Sequence, residues 1–267
     1  MFLTRLIASL WCAICAASAT AHEFWIEPEN FQLPPSAQIV ARLKNGEEFE
    51  GVNLAYFERR IERFDVVVGD TIRPVQARMG DNPALDVPGP VGGLVVVVHE
   101  TKPSLLTYRD WAKFQKFAKH KDFPDIADRH TANGFPEPPF KERYTRHAKA
   151  LVAVGEGVGL DRALGLKTEF IALTNPYAPE FDGTMQVQLT LDGEIRTDAQ
   201  VEVFDRAPND SVTITLHRTD DTGIAAIPVT AGHDYLFDAV AIAPTTDGTT
   251  DAVWDTYWAA LTFGVPE

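Results

Sequence analysis

The strongest constraint on this chain is a two-residue alternation of apolar side chains, repeated through its second half. Met185, Val187, Leu189 and Leu191 alternate with polar residues, as do Val212, Ile214 and Leu216, and turn pairs follow at Asp192-Gly193, Thr222-Gly223 and Gly232-His233. A period of two places one face of a strand against a core and the other toward water, and the turns set strand lengths typical of packed sheets. The first half carries a denser signal of the same kind. "RFDVVVGD" ends at Gly69-Asp70, "GLVVVVHET" is bounded by Gly92-Gly93 and Pro103, and "AQIVARLKNG" carries Asn45-Gly46 as an expected turn. Unbroken valine runs suit strands covered on both faces. The pattern predicts a mainly β protein with two β-sandwich domains, at 22–165 and 166–267, of immunoglobulin-like or prealbumin-like type.

A short helical insert, over about 106–134, interrupts the strands. Trp111, Phe114, Phe117 and Ala118 fall on one helical face, and a second short helix is expected over "FPDIADRHTANG", starting near Pro124 and stopping at Asn133-Gly134. "FPEPPF" then reads as a rigid link, and "KERYTRHAKALVAVG" turns to strand in its later part.

The first 21 residues read as a secretory signal: Arg5, the apolar run "LIASLWCAICAAS", then Ala19 and Ala21 at the positions a signal peptidase reads. Cleavage after Ala21 would remove Cys12 and Cys15, the two cysteines of the chain, together with its first basic residue. The expected mature chain is exported to the periplasm or beyond, has no membrane span, and offers no disulfide or thiolate chemistry. With 38 acidic against 24 basic residues the whole chain carries a formal charge of −14, which argues against a nucleic-acid partner. G-x-S-x-G, H-E-x-x-H and phosphate-loop patterns are absent, so nothing supports an ordinary hydrolase or nucleotide enzyme.

Several longer stretches together resemble the domain-of-unknown-function family 4198. They are "AHEFWIEP", "ERYTRHAKALVAVG" (142–155), "GLKTEFIALTNPY" (165–177), "LDGEIRTDAQVEVF" (191–204), "TDDTGIAAIPVTAGHDYLFDA" (219–239) and "WAALTF" (258–263). The resemblance implies an exported protein of the kind described as a periplasmic component of nickel or cobalt uptake, with a transporter as partner.

Cleavage at the expected point would make His22 the first residue. Its α-amine and imidazole could then close a chelate ring on a divalent transition metal: nickel or cobalt by the resemblance, with copper as a further option by ligand chemistry. Further ligands are sought among His120, His147, His99 and His130, in that order, with His217 and His233 behind them and Glu23 and Glu27 as added oxygen donors. His120 and His130 flank the join of the two expected helices, His147 lies inside "ERYTRHAKAL", and His99 ends a hydrophobic strand. Phe24 and Trp25 are expected to anchor the terminus, and Arg146 and Lys149 to pair with acidic neighbours. The reading favours a binding protein over an enzyme. A copper-dependent oxidase or oxygenase built on a terminal histidine, and a metal-free structural sandwich protein, stand as its alternatives.

Overall fold

The computed structural model describes residues 22–248 and 250–267, so the expected signal sequence at 1–21, with both cysteines, lies outside the described residues. In chain order the strands begin with β1 (Glu23–Pro28), β2 (Gln32–Leu33), β3 (Gln38–Glu47), β4 (Glu50–Leu54), β5 (Ile61–Val68) and β6 (Thr71–Pro74). They continue with β7 (Leu85–Pro88), β8 (Gly93–Thr101) and β9 (Ser104–Tyr108), then the helices α1 (Trp111–His120) and α2 (Ile126–Ala132). After the helices come β10 (Phe140–Val154), β11 (Thr168–Ala172), β12 (Thr184–Leu191), β13 (Glu194–Ile195) and β14 (Gln200–Arg206). The last four are β15 (Val212–Arg218), β16 (Ile224–Pro228), β17 (Asp234–Pro244) and β18 (Ala252–Gly264).

The protein is mainly β, and its sheets stack as a sandwich. A central sheet runs β15-β14-β17-β18-β10-β8-β5-β6, with β2 and β9 on β10. One face is covered by β11, β12, β13 and β16, the other by β1, β3, β4 and β7 and by the two helices. The central sheet takes strands from both sides of residue 165, because β10 lies parallel to β18, with Ala148 opposite Ala260. Burial on both faces explains the continuous valine run of β8, in which Val95, Val96, Val97 and Val98 are all buried.

Strand alternation distributes each strand's residues among the cores. On β17, Tyr235, Phe237 and Ala239 enter the core under β12, while Leu236 packs under β1 and β3, and Val240 and Ile242 pack under the helices. Asp238 is the same-face residue between Leu236 and Val240, and it is buried. The cover of that face changes at this point from sheet to helices.

Two local expectations are corrected. Asn45-Gly46 is strand, not turn: β3 runs on to Glu47, and the reversal is made by Glu48 and Phe49 at φ 52° and 63°. Gly46 serves close approach, since a Cβ there would lie 1.9 Å from the Glu50 carbonyl oxygen. The turn also delivers Phe49 into the core, edge-on to Trp25 at 5.6 Å. The helical insert starts later than its apolar pattern implied, because residues 104–108 pair with β10 as β9. Asp110 caps α1 by accepting a hydrogen bond from the Ala112 amide at 2.9 Å, which fixes the helix start after the strand. Phe114 and Ala118 of the expected stripe are fully buried, and "ERYTRHAKAL" is strand throughout.

A buried ion cluster fastens the loop at 155–167 to the central sheet. The Lys149 ammonium donates to Asp161 at 2.6 Å and to Glu169 at 3.0 Å, and the Glu169 carboxylate also accepts from the Leu164 and Gly165 amides. Lys149 therefore pairs with acids, although they are distant in sequence.

Trp25 has no exposed surface and supports the reversal at Phe49. Trp25→Ala is expected to cost about 3–5 kcal/mol of unfolding free energy, measurable by chemical denaturation.

Candidate functional site

The first described residue stands at the edge of the sheet formed by β1 and β3. β1 is held in register by Glu23 opposite Gly46 and Phe24 opposite Asn45. Phe24 and Trp25 are buried and anchor the strand, as their apolar character implies. The His22 carbonyl accepts a hydrogen bond from Arg146 Nη2 at 2.9 Å. Arg146 thus grips the backbone just ahead of β1, where an acidic partner was expected, and its guanidinium lies 4.8 Å from the Tyr144 ring centroid.

The His22 ring is 42 % exposed. Its Nε2 lies 3.5 Å from Glu47 Oε1, and its Nδ1 lies 3.3 Å from Asn45 Nδ2. In the tautomer with the proton on Nε2, the ring N–H points to the carboxylate and Nδ1 accepts from the Asn45 amide. Carboxylates set this tautomer at many metal-ligating histidines, where they orient the ring and raise its basicity. Nδ1 is also the nitrogen that a chelate with the residue's own amine would use.

Directly behind His22, Glu23 enters a buried ion cluster that the sequence reading did not foresee. The Lys121 ammonium, just past the end of α1, donates to Glu23 Oε1 at 2.9 Å, Glu202 Oε2 at 2.6 Å and Asp238 Oδ2 at 3.0 Å. All four groups are nearly inaccessible to water. One oxygen from each carboxylate lies within 4.8 Å of the others, and Trp258 presents its ring 5.0 Å from the ammonium. This is a cage built around a cation, and Lys121 supplies the cation.

The electrostatics follow from burial and crowding. Burial alone would pull the Lys121 ammonium down, but Asp238, Glu23 and Glu202 together raise it far above its ordinary value, so it stays charged. Burial also opposes ionisation of Glu202, yet hydrogen bonds from His120 and Lys121 hold it down at about 2. Asp238 goes the other way: burial first, then the charges of Glu23 and Glu202, raise it to about 7 against the pull of Lys121. His120 Nε2 reaches Glu202 Oε1 at 3.1 Å from the surface, and that hydrogen bond raises the imidazole above its ordinary value.

The other sequence-picked histidines have different surroundings. His130 is buried with both nitrogens engaged, Nε2 with the Pro136 carbonyl and Nδ1 with the Trp254 indole N–H, each at 3.0 Å. His99 is enclosed by the Phe24 and Phe64 rings at 5.0 and 5.1 Å, and burial, then the neighbouring His147, pushes it down to about 3, so it is neutral. His147 Nδ1 lies 3.1 Å from the Trp258 carbonyl and its Nε2 lies 3.5 Å from Glu100. Of the five histidines, His22 and His120 flank the cage: Glu23 follows His22 in sequence, and His120 precedes Lys121. His233 pairs with Asp205 at 2.6 Å, and His217 Nε2 lies 3.1 Å from Thr215 Oγ1. Glu23 is buried in the cage, and Glu27 pairs with Lys44 and Arg206.

The comparisons with known proteins give one family. The chain belongs to the DUF4198 family. The match to that domain of unknown function spans residues 19–243, from just before His22 through nearly all of β17. The DUF4198 span therefore contains every residue that touches the Lys121 ammonium except Trp258. No curated protein matches the chain closely enough to count as a relative.

The two displaced carboxylates predict the pH dependence. Glu202, depressed to about 2, contributes stability that is present above its ordinary value near 4.5 and is lost as pH falls toward 2. Asp238, raised to about 7, contributes stability that is present below its ordinary value near 3.8 and is lost as pH rises through 7. Thermal denaturation across this range is expected to show highest stability between the two limbs. Asp238→Asn is expected to flatten the alkaline limb. Lys121→Met leaves buried carboxylates uncompensated and is expected to cost about 3–5 kcal/mol, with the loss largest at alkaline pH.

Proposed function

We propose that this is an exported divalent-metal-binding protein, held in the periplasm or secreted after removal of residues 1–21, with His22 as its terminal metal ligand. The observation that carries the reading is the His22 ring itself. It is open to solvent at the start of a rigid strand, its Nε2 faces the Glu47 carboxylate, and its Nδ1 is left as the acceptor. A free α-amine at His22 would add a second nitrogen from the same residue. Amine and imidazole nitrogen suit nickel, cobalt or copper better than magnesium or calcium. Nickel or cobalt capture for a metal-uptake transporter is the function most consistent with the family likeness and this donor set.

A metal would displace the Asn45 amide from Nδ1, while the rest of the surroundings stay as they are. Arg146 holds the His22 carbonyl, Glu23 is fixed by Lys121, and Phe24 and Trp25 are buried, so the terminus is ordered before a metal arrives. Preorganisation of this kind reduces the ordering cost of binding. His120 stands on the rim of the adjoining cage and is the foremost further nitrogen donor. In this proposal His99 and His130 are core residues.

Calorimetric titration of the chain beginning at His22 with nickel, cobalt, copper and zinc tests the reading. Stoichiometric binding is expected, with strong weakening when one alanine precedes His22. Glu47→Gln is expected to lower affinity by about 10–100-fold without unfolding the protein, since it removes only the group that orients the ring. Equal affinity with and without the added alanine would exclude the terminal chelate.

A further inference from the structure

The central sheet ends differently on its two sides. At one edge β6 is four residues long, carries Arg73 and stops at Pro74, features that ordinarily prevent an edge from pairing with another chain. At the other edge β15 runs for seven residues, "VTITLHR", without a proline or a lysine, and is paired only on its β14 side. Among the described residues no strand covers its outer side. By contrast the edge strands β1 and β11 are buried along nearly their whole length.

β15 also exposes apolar surface. Ile214 and Leu216 are 40 % and 61 % exposed and point to the same face, because the register sets them opposite Phe204 and Glu202 of β14. Edge strands with unpaired backbone and apolar side chains are templates for a further strand.

The sequence of β15 identifies that strand. A two-fold axis at Thr215, the middle residue, would pair β15 antiparallel with itself over its full length. Ile214 would then face Leu216 of the second copy, Thr213 would face His217, and Arg218 would face Val212. No two like charges meet, and each copy contributes an aliphatic pair on one face, a favourable cross-strand combination. In a chain with 38 acidic residues, this strand contains none. The acids beside it, Asp122 and Asp198, are paired with its own Arg218, which offsets part of the repulsion that would oppose association.

We propose that two copies of this chain associate through β15, joining their central sheets into one across a two-fold axis at Thr215. This assembly is independent of the metal-binding proposal and needs no metal.

The absence of cysteine from residue 22 onward supplies a direct test. Residues that face each other across an antiparallel pair have Cα atoms about 4.5–5.5 Å apart, within the span of a disulfide. Thr215→Cys in the chain beginning at His22 is expected to oxidise to a covalent dimer, whereas Ser211→Cys, beyond the strand end, is expected to remain monomeric. Sedimentation velocity from about 1 to 200 µM should show the cysteine-free protein moving from monomer to dimer, as mass action requires. Leu216→Lys, at an exposed position that leaves folding intact by circular dichroism, should hold it monomeric, while Ile72→Lys at the opposite edge should not. A monomer throughout that range, a dimer indifferent to Leu216→Lys, or equal cross-linking at both cysteine positions would overturn the proposal.

Discussion

One ammonium group ties the helical insert, the first strand and the central sheet together at a single buried point. Lys121 belongs to the helical insert, Glu23 to the first strand, and Glu202 and Asp238 to two neighbouring strands of the central sheet, and the four meet within hydrogen-bonding distance in a dry interior. A buried charge is costly unless each hydrogen-bonding position finds a partner, so the cluster tolerates little displacement of any member. Three carboxylates against one ammonium leave an excess of negative charge, which the protein meets in two ways. Asp238 takes up a proton more readily than an ordinary carboxylate, and His120 and Arg146 bring further positive charge alongside. The cluster gains conformational specificity at some expense of stability, since an apolar filling of the same volume would need no such matching.

Its position in the fold explains why a polar cluster is tolerated there. The face of the central sheet that bears it has two separate covers, a small sheet and a helical pair, and their cores meet the strands at neighbouring same-face positions. Leu236 lies under the first cover, Val240 under the second, and Asp238 between them. On β18, Ala260 and Trp258 divide in the same way. Apolar packing resists displacement through shape alone, whereas an ammonium with three fixed acceptors adds a directional constraint. The cluster sets the relative placement of the helices and the N-terminal strand.

Much of the fold could be read from the sequence because alternation is a local property. The valine run, the strands of the second half and the amphipathic stripe of α1 each needed only neighbouring residues. Misplaced boundaries arose where a distant partner decided the outcome. Residues 104–108 are strand because β10 is available to pair with them, and Asn45-Gly46 remains extended because β1 and β4 flank it. The ion cluster was harder still, for its acids lie up to 117 residues from Lys121 in sequence. A trace of it was nevertheless present. Glu202 and Asp238 interrupt apolar stretches, "QVEVF" and "LFDAV", with buried Phe204, Leu236 and Val240 among their same-face neighbours, and an acid there must find a cation. The sequence shows that a partner is required, but which lysine fills the role depends on tertiary structure. Glu47 escaped notice for a similar reason, since its relation to His22 exists only across the β1–β3 pair.

The N-terminal strand and the ion cluster act as one mechanical unit. A strand is free to slip only in whole residues, and a slip by one exchanges its two faces. In β1 such a slip would withdraw Glu23 from Lys121 and replace it with either an uncharged ring or an imidazole, leaving the ammonium short of a partner. It would also carry the His22 carbonyl away from Arg146 and turn Phe24 and Trp25 out of their cores. These losses fall together, so the register of His22 is set by far more free energy than its own contacts supply. The proposed role of His22 as a terminal ligand would require such a fixed register. Chain ends ordinarily fray, and a chelating amine is useful only if its position is fixed. The buried acid immediately after the exposed histidine provides that fixation: Glu23 anchors the backbone on one side of the residue boundary, and His22 is left to face outward on the other.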